Sequence, residues 1–246
     1  MLEIKNVRKA YHNTIALSNI NLTLDEGIYA LLGPNGAGKS TLMNILCDQL
    51  KMDEGEILWK HQNIYQLKKS YFDILGYAPQ QQGLYDEFSG KRFLTYMALL
   101  KNIPKKEIAS EVERVARLVN MEDELWKKCK AYSGGMKQRM LVAQALLGHP
   151  ALLLFDEPTS ALDPETIGDV LAVMQNLAKE GMNMVVVTHE MGFAREVADR
   201  IIFMAEGEIL VDTTDVQGFF DNPTEPRAKQ FLSKVINHTS DTVSQK

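Results

Sequence analysis

The amino-acid sequence predicts an α/β fold built on a parallel β-sheet. Three apolar runs, at residues 28–32, 152–155 and 184–187, have the composition of buried strands. One helical pattern, at residues 41–50, follows the first run, and another, at residues 167–179, separates the second run from the third. Because strands that alternate with helices usually join in a parallel sheet, these segments are expected to form the core.

The first 35 residues predict short strands. Apolar and polar residues alternate over residues 2–7 and again over 20–24, which is typical of half-buried strands. A hairpin-like stretch follows around residues 55–59. The chain is therefore expected to begin with a small β-structure.

Residues 87–149 predict a helical insertion between two sheet-forming halves. Apolar residues recur at helical spacing over 93–100 and over 108–119, and Pro104 separates the two patterns. This block is expected to form a helical insertion that contributes no strand to the sheet.

The end of the chain predicts a closing hairpin and a last helix. Residues 201–204 and 208–211 are the two candidate strands of the hairpin, and residues 227–236 have a helical pattern. The polar tail, residues 237–246, is expected to be disordered.

Composition excludes several classes of protein. The 246 residues include 27 Lys and Arg against 32 Asp and Glu, a net charge of −5, and no basic stripe that would indicate nucleic-acid binding. Only Cys47 and Cys129 are present, which excludes a disulfide framework and favours a reducing cytosol. No apolar run is long enough to span a bilayer, and the start lacks the pattern of a secretory signal.

A glycine-rich loop after the first buried strand matches the phosphate-binding pattern G-x-x-x-x-G-K-[ST]. Its glycines allow backbone N–H groups to face an anion, its lysine reaches the outer phosphates, and its serine offers a hydroxyl to Mg²⁺. The predicted contact residues are Gly33, Asn35, Gly36, Ala37, Gly38, Lys39, Ser40 and Thr41.

Two acids, Asp156 and Glu157, follow the second buried strand, where ligands meet the carboxyl edge of an α/β sheet. With the phosphate loop present, Asp156 is expected in the Mg²⁺ shell and Glu157 is expected to orient or deprotonate a water. The plain alternative is a solvated acidic turn. No guanine-reading N-K-x-D or T-K-x-D motif occurs, which disfavours a GTPase.

The segment Tyr132-Ser133-Gly134-Gly135-Met136-Lys137-Gln138-Arg139 resembles the signature motif of the ABC ATPases. The motifs Ser160-Ala161-Leu162-Asp163 and Thr188-His189 extend the resemblance over residues 1–236. It implies a P-loop NTPase with a RecA-like parallel-sheet core, an N-terminal antiparallel β-subdomain and a helical subdomain at about 87–149. Tyr132 and Met136 replace the usual leucine and glutamine of the signature.

The resemblance also implies roles for individual residues. Tyr11 matches the aromatic residue that stacks on adenine, with a tyrosine packed on the β-subdomain as the alternative. Gln80 matches the glutamine that contacts Mg²⁺ and the attacking water, although Gln81 and Gln82 leave its assignment open. His189 matches the residue that hydrogen-bonds the γ-phosphate and positions the water, with a purely structural histidine as the alternative.

A head-to-tail homodimer with two sandwiched ATP molecules follows from the same resemblance. In such a dimer the signature residues Ser133, Gly134 and Gly135 reach nucleotide bound by the second subunit, and Asp163 acts across the interface.

The implied function is ATP hydrolysis that powers a membrane transporter, with ATP and Mg²⁺ as cofactors and transmembrane permease subunits as partners. The protein would lie on the inner face of the cell membrane and would not bind nucleic acid. A soluble ABC ATPase that acts on ribosomes or DNA, and a P-loop kinase, are the alternatives.

The two halves of the chain resemble different branches of this family. Residues 1 to about 150 resemble ATPases of multidrug and other export systems, whereas residues from 152 onward resemble those of polar amino-acid importers. The change falls at about 150–163. A natural intermediate and a recombinant chimera both explain it. The expected solute is a polar amino acid or an exported compound, and a chimera with ATPase activity but no dedicated permease is a further alternative.

Overall fold

A computed structural model describes residues 1–80 and 83–243, with side chains described as far as 235. The strands are β1 Leu2–Tyr11, β2 Thr14–Leu24, β3 Ile28–Leu32, β4 Glu54–Trp59, β5 Gln62–Asn63, β6 Leu75–Ala78, β7 Leu152–Asp156, β8 Met184–Val187, β9 Arg200–Ala205 and β10 Glu208–Thr213. The helices are α1 Lys39–Leu46, α2 Ile64–Leu67, α3 Lys69–Ile74, α4 Gly90–Leu100, α5 Ile108–Leu118, α6 Gly134–Leu146, α7 Pro164–Lys179, α8 Met191–Val197, α9 Val216–Asp221 and α10 Pro226–Val243.

The chain divides into two compact units. The first unit consists of residues 1–67 and 186 onward, and the second consists of Lys68–Val185. The division falls inside β8, so that strand contributes residues to both.

The first unit contains an antiparallel sheet with the strand order β2-β1-β4-β5. Its other strands include β3, which pairs in parallel with β9, and β9 pairs in turn with β10 as an antiparallel hairpin. Phe203 of β9 lies 5.5 Å from Phe231 and 6.1 Å from Phe219, measured between ring centroids. These rings bury the face of the hairpin beneath the C-terminal helices.

The second unit contains the parallel pair β6 and β7 and the helices α4 to α7. The strand β6 is absent from the elements expected from the sequence. Gly76 in this strand lies so close to α6 that a Cβ there would stand 2.1 Å from the Ala145 carbonyl oxygen. The close approach of helix and strand therefore requires glycine at this position.

Buried charges hold the helices of the second unit together. The Lys101 ammonium donates to the carbonyl oxygens of Leu75 (2.8 Å) and Leu147 (3.0 Å), and its burial lowers the pKa of Lys101. On α5, Glu111 accepts two hydrogen bonds from Arg114 of the same helix, at 2.8 and 2.7 Å, and a third from the Gly148 N–H at 2.7 Å. Arg114 also donates to the Leu146 carbonyl oxygen at the end of α6, at 2.9 Å. Lys101 thereby fixes the end of α4 to the start of β6, and the Glu111–Arg114 pair fixes α5 to the end of α6.

Several predicted bounds change. The predicted helix at 167–179 begins earlier, at Pro164, because Asp163 caps it. The predicted helix at 41–50 spans Lys39–Leu46. The last helix was expected to end at residue 236 and continues to Val243, so the expectation of a disordered tail is wrong as far as that residue. Each further helical residue adds one backbone hydrogen bond, so α10 continues into the polar segment that begins at residue 237.

The remainder of the predicted tail, residues 244–246, lies outside the described part of the chain, as do Gln81 and Gln82. Within the described residues no helix has the length and apolar character to cross a membrane.

Candidate nucleotide-binding and catalytic site

The glycine-rich loop of the first unit starts where β3 ends. Gly33 has a φ of +149°, and a Cβ there would lie 2.1 Å from the Met204 carbonyl oxygen of β9. No side chain fits between the loop and that strand. The first glycine of the motif therefore sets the path of the loop by its packing as well as by its backbone conformation.

We expect Gly33→Ala to lower the free energy of unfolding by about 2 to 4 kcal/mol, because the added methyl group meets a backbone oxygen that cannot move freely. Thermal unfolding of the nucleotide-free protein measures this loss. Gly192→Ala is the matched control, since a Cβ in that part of α8 meets nothing within 4 Å. Equal stability of the Gly33 and Gly192 variants would contradict the packing argument.

The loop ends in a lysine that folds back over it. Gly38, at φ +99°, is the N-cap of α1, and Lys39 is the first residue of that helix. The Lys39 ammonium donates to the carbonyl oxygens of Gly33 (2.8 Å) and Pro34 (3.1 Å), and only 4% of the residue is exposed. A buried ammonium beside a helix N-terminus is an arrangement that can neutralise a bound phosphate.

The other predicted contact residues form the surface of the same loop. Asn35, Gly36 and Ser40 are exposed, and Thr41 is half-buried. Ala37 is buried, so only its backbone is available to a ligand. Its N–H donates to the Pro34 carbonyl oxygen at 3.2 Å.

The predicted acids lie at the end of β7 in the second unit. Asp156 is 5% exposed and ends the strand, whereas Glu157 is half-buried and has a φ of +47°. A non-glycine residue in this region carries backbone strain of about 1 to 2 kcal/mol. The strained turn separates the two carboxylates, one at the strand end and one in the loop after it.

Gln80 lies beside Glu157 because β6 and β7 run in parallel and end together. The Gln80 side-chain amide donates to Glu157 Oε2 at 2.9 Å and to the Ser160 hydroxyl at 3.2 Å. Ser160 belongs to one of the motifs that carry the family resemblance, but no individual role was expected for it. Nothing in the local sequence distinguishes it from its neighbours, because the contact joins residues 80 positions apart.

The signature residues form the start of α6. The Ser133 hydroxyl is the N-cap and accepts from the Met136 N–H at 3.2 Å. Ser133 and Gly134 are exposed, while Gly135 is buried. The N-terminus of a 13-residue helix is therefore open to solvent at the serine and the first glycine.

Asp163 caps the neighbouring helix α7. Its carboxylate accepts from the Thr166 N–H at 3.0 Å. A Cβ on Gly135 would lie 3.1 Å from Thr166 Cβ, so the starts of α6 and α7 are close together. In this chain Asp163 has a structural role, and any role across an interface is additional to it.

Tyr11 and His189 belong to the first unit. Tyr11 ends β1 with 45% of its surface exposed, and the Lys9 ammonium lies 5.8 Å from its ring centroid. This exposure favours a ring that can stack on a ligand over a packed tyrosine. His189 follows β8 and is half-buried, next to Thr188, whose hydroxyl accepts from the Glu190 N–H at 3.0 Å.

The expected magnesium ligands are oxygen donors of the kind that Mg²⁺ prefers. Asp156 offers a buried carboxylate, Ser40 a hydroxyl and Gln80 an amide oxygen. No cluster of three His, Cys, Asp or Glu side chains able to hold a metal occurs among the described residues. A carboxylate, a hydroxyl and an amide oxygen are each of the donor type that holds Mg²⁺ beside phosphate and water.

Comparison with protein-family models gives a match to the ABC transporter model over residues 17–160. The chain belongs to the ABC transporter family. This ABC ATPase is 43% identical to the glutamine transport ATP-binding protein GlnQ of Geobacillus stearothermophilus, over 97% of this chain and all of the relative. It is 40% identical to the glutamate transport ATP-binding protein GluA of Corynebacterium efficiens, with the same coverage.

A similar solved structure is a dimeric ATP-binding cassette, MJ0796, in a post-hydrolysis state bound to ADP and Pi. Its TM-score to this ABC ATPase is 0.75 at 29% identity, over 87% of this chain and 98% of the other. The predicted P-loop NTPase fold is thereby confirmed, as are the family and its activity. The protein is the ATP-binding, ATP-hydrolysing subunit of an ABC transporter.

The junction expected at residues 150–163 stays a prediction. The GlnQ relative aligns over 97% of the ABC ATPase, so a single identity value combines both halves. Separate alignment of each half with importer and exporter ATPases is the comparison that tests it.

Proposed function

We propose that this subunit powers the uptake of polar amino acids, as a head-to-tail homodimer that encloses two Mg-ATP and docks on permease subunits at the inner face of the membrane. The names of the glutamine and glutamate transport relatives support the solute class. The observation that carries the catalytic part is the Gln80 amide held 2.9 Å from the Glu157 carboxylate.

In this proposal the first unit binds the nucleotide. Tyr11 stacks on the adenine, and the Lys39 ammonium leaves its loop carbonyls to meet the β- and γ-phosphates together with the loop N–H groups. His189 donates a hydrogen bond to the γ-phosphate. Fixed donors of this kind stabilise the charge that develops during phosphoryl transfer.

The second unit supplies the water-activating group. Glu157 accepts a proton from the attacking water, and the Gln80 amide orients the carboxylate for that transfer. Asp156, Ser40 and Gln80 would hold Mg²⁺, which would supply further neutralisation of phosphate charge. Most of the rate gain comes from positioning and charge stabilisation, because phosphoryl transfer needs little covalent help.

The signature residues serve the nucleotide of the partner subunit. Ser133 and Gly134 lie exposed at the N-terminus of α6, where N–H groups and the helix dipole favour an anion. The dimeric state of the MJ0796 cassette supports an assembly of two copies. Asp163 would act across the same interface.

An exposed aromatic cluster in the second unit is the proposed permease-facing surface. It consists of Tyr85, Phe88 and Tyr96, with centroid distances of 5.0 Å from Tyr85 to Phe88 and 5.7 Å from Tyr85 to Tyr96. Tyr85 is 46% exposed and Tyr96 is 38% exposed. Aromatic residues are common at the centres of protein interfaces, because they bury a large area at little entropic cost.

Co-purification from solubilised membranes tests this proposal. The tagged full chain is expected to recover a hydrophobic permease subunit, and Tyr85→Ala with Tyr96→Ala is expected to lower that recovery. Phe72→Ala is the control, since Phe72 is equally exposed at 46% but lies on α3. Recovery with ribosomes or nucleic acid instead of a permease would favour the soluble alternative and contradict the proposal.

A further inference from the structure

Tyr132 immediately precedes the signature serine and is buried. It is 5% exposed, and its hydroxyl donates to the Glu124 carbonyl oxygen at 2.7 Å. The usual residue at this position of the signature is leucine, which cannot make that bond. The phenol therefore fixes the chain immediately before Ser133 to a second, separate segment.

That second segment is itself firmly held. The stretch after Glu124 runs beside residues 86–91, and Glu87 accepts from both Lys128 and Lys130 at 2.8 Å. Four backbone hydrogen bonds join the two stretches, from Lys91 to Leu125, Gly90 to Lys127, Cys129 to Phe88 and Lys130 to Asp86. The position of the Glu124 carbonyl oxygen, which accepts from Tyr132, is consequently well defined.

Gly90 makes room for the hydroxyl. A Cβ on this residue would lie 2.2 Å from Tyr132 Oη but 3.3 Å from Tyr132 Cζ and from Met140 Cε. Gly90 is the first residue of α4 and does not have the positive φ that would require glycine. Alanine is the better helix former, so the space taken by the tyrosine hydroxyl explains the glycine.

We propose that Tyr132 is a positioning residue for ATP hydrolysis, which holds Ser133 and the start of α6 in place for the nucleotide of the partner subunit, with Gly90 as its matched neighbour. This inference rests on the proposed head-to-tail dimer. Burial raises the pKa of the Tyr132 hydroxyl to about 12, so the group remains a hydrogen-bond donor at neutral pH.

Tyr132→Phe removes the hydroxyl and keeps the ring. ATP binding to the separate chain is expected to stay within about twofold, because the phosphate loop belongs to the first unit. The protein concentration that gives half-maximal ATPase activity is expected to rise about fivefold, the change that corresponds to one lost hydrogen bond. Tyr71→Phe, a buried tyrosine of α3, is the control and should leave that concentration unchanged.

Gly90→Ala completes a double-mutant cycle. Alone it is expected to raise the protein concentration needed for half-maximal ATPase activity or to lower the thermal stability, because the methyl group collides with the Tyr132 hydroxyl. In the Tyr132→Phe background the 2.2 Å contact is removed and only the two 3.3 Å contacts, with the ring and with Met140 Cε, remain, so the same change is expected to have a much smaller effect. The thermal stability of each variant is measured alongside its activity. If Gly90→Ala alone is unstable, restoration of that stability by the additional Tyr132→Phe substitution would also support the pairing.

Additive effects of the two substitutions, or a Tyr132→Phe protein with unchanged concentration dependence, would overturn the proposal. Failure of the dimer itself gives a different result, because the unsubstituted chain would then show activity in simple proportion to protein concentration.

Discussion

Replacement of Glu157 by glutamine is expected to retain ATP binding and to lower the hydrolysis rate by about 100- to 10,000-fold. The amide has almost the same shape and can still accept the 2.9 Å hydrogen bond from Gln80, but it cannot take a proton from water. Single-turnover hydrolysis measures the rate, and binding of a fluorescent ATP analogue measures the affinity.

The control for this substitution is Glu113→Gln, which makes the same chemical change on an exposed position of α5. It should hydrolyse ATP at the wild-type rate. A Glu157→Gln protein that also turned over normally would show that another group receives the proton.

Lys39→Ala is expected to have the second large effect, with ATP bound about 10- to 100-fold more weakly and hydrolysed at least about 100-fold more slowly. The ammonium is the only charged side chain of the octapeptide at residues 33–40, so its loss leaves phosphate charge to the backbone N–H groups and Mg²⁺. Isothermal titration with ATP and a phosphate-release assay measure the two effects.

Lys39 also donates to the carbonyl oxygens of Gly33 and Pro34, so the stability of the variant must be measured alongside its activity. Lys51→Ala, at an exposed position just after α1, is the matched control. Phosphate release at the wild-type rate by purified Lys39→Ala protein would contradict the role given to this lysine.

Local sequence was sufficient to predict the phosphate loop and its flanking elements. The apolar run of β3, the glycine-rich turn and the helical spacing of α1 lie within 20 residues, and each one depends on its immediate neighbours. The cap at Asp163 is equally local, and recognition of it would have placed the start of α7 correctly.

Contacts between distant segments could not be predicted in the same way. The strand β6 has only four residues and includes Gly76, whose role becomes visible only where α6 packs on it. The meeting of Gln80 with Glu157 depends on the pairing of Ala78 with Phe155 in parallel strands. These contacts come from tertiary packing, which overrides local propensity.

The space shared by Gly90 and Tyr132 is the same kind of feature. Each residue looks like a minor departure when it is read alone, a glycine at a helix start and an unusual aromatic before the signature serine. Their relation appears only when the distance between them is known. Sequence patterns therefore predicted the nucleotide-contacting residues, whereas the fold shows which other residues hold them in position.

In the proposed dimer, two copies of this chain enclose ATP between the phosphate loop of one and the signature serine of the other. ATPase activity measured against protein concentration in the presence of Mg²⁺, with Lys39→Ala protein as the blank, tests it most directly. For such a dimer we expect a rate that rises faster than linearly at low protein concentration and becomes proportional to concentration once nearly all chains are dimeric. A rate proportional to protein concentration over the whole range, down to the most dilute samples, would contradict it.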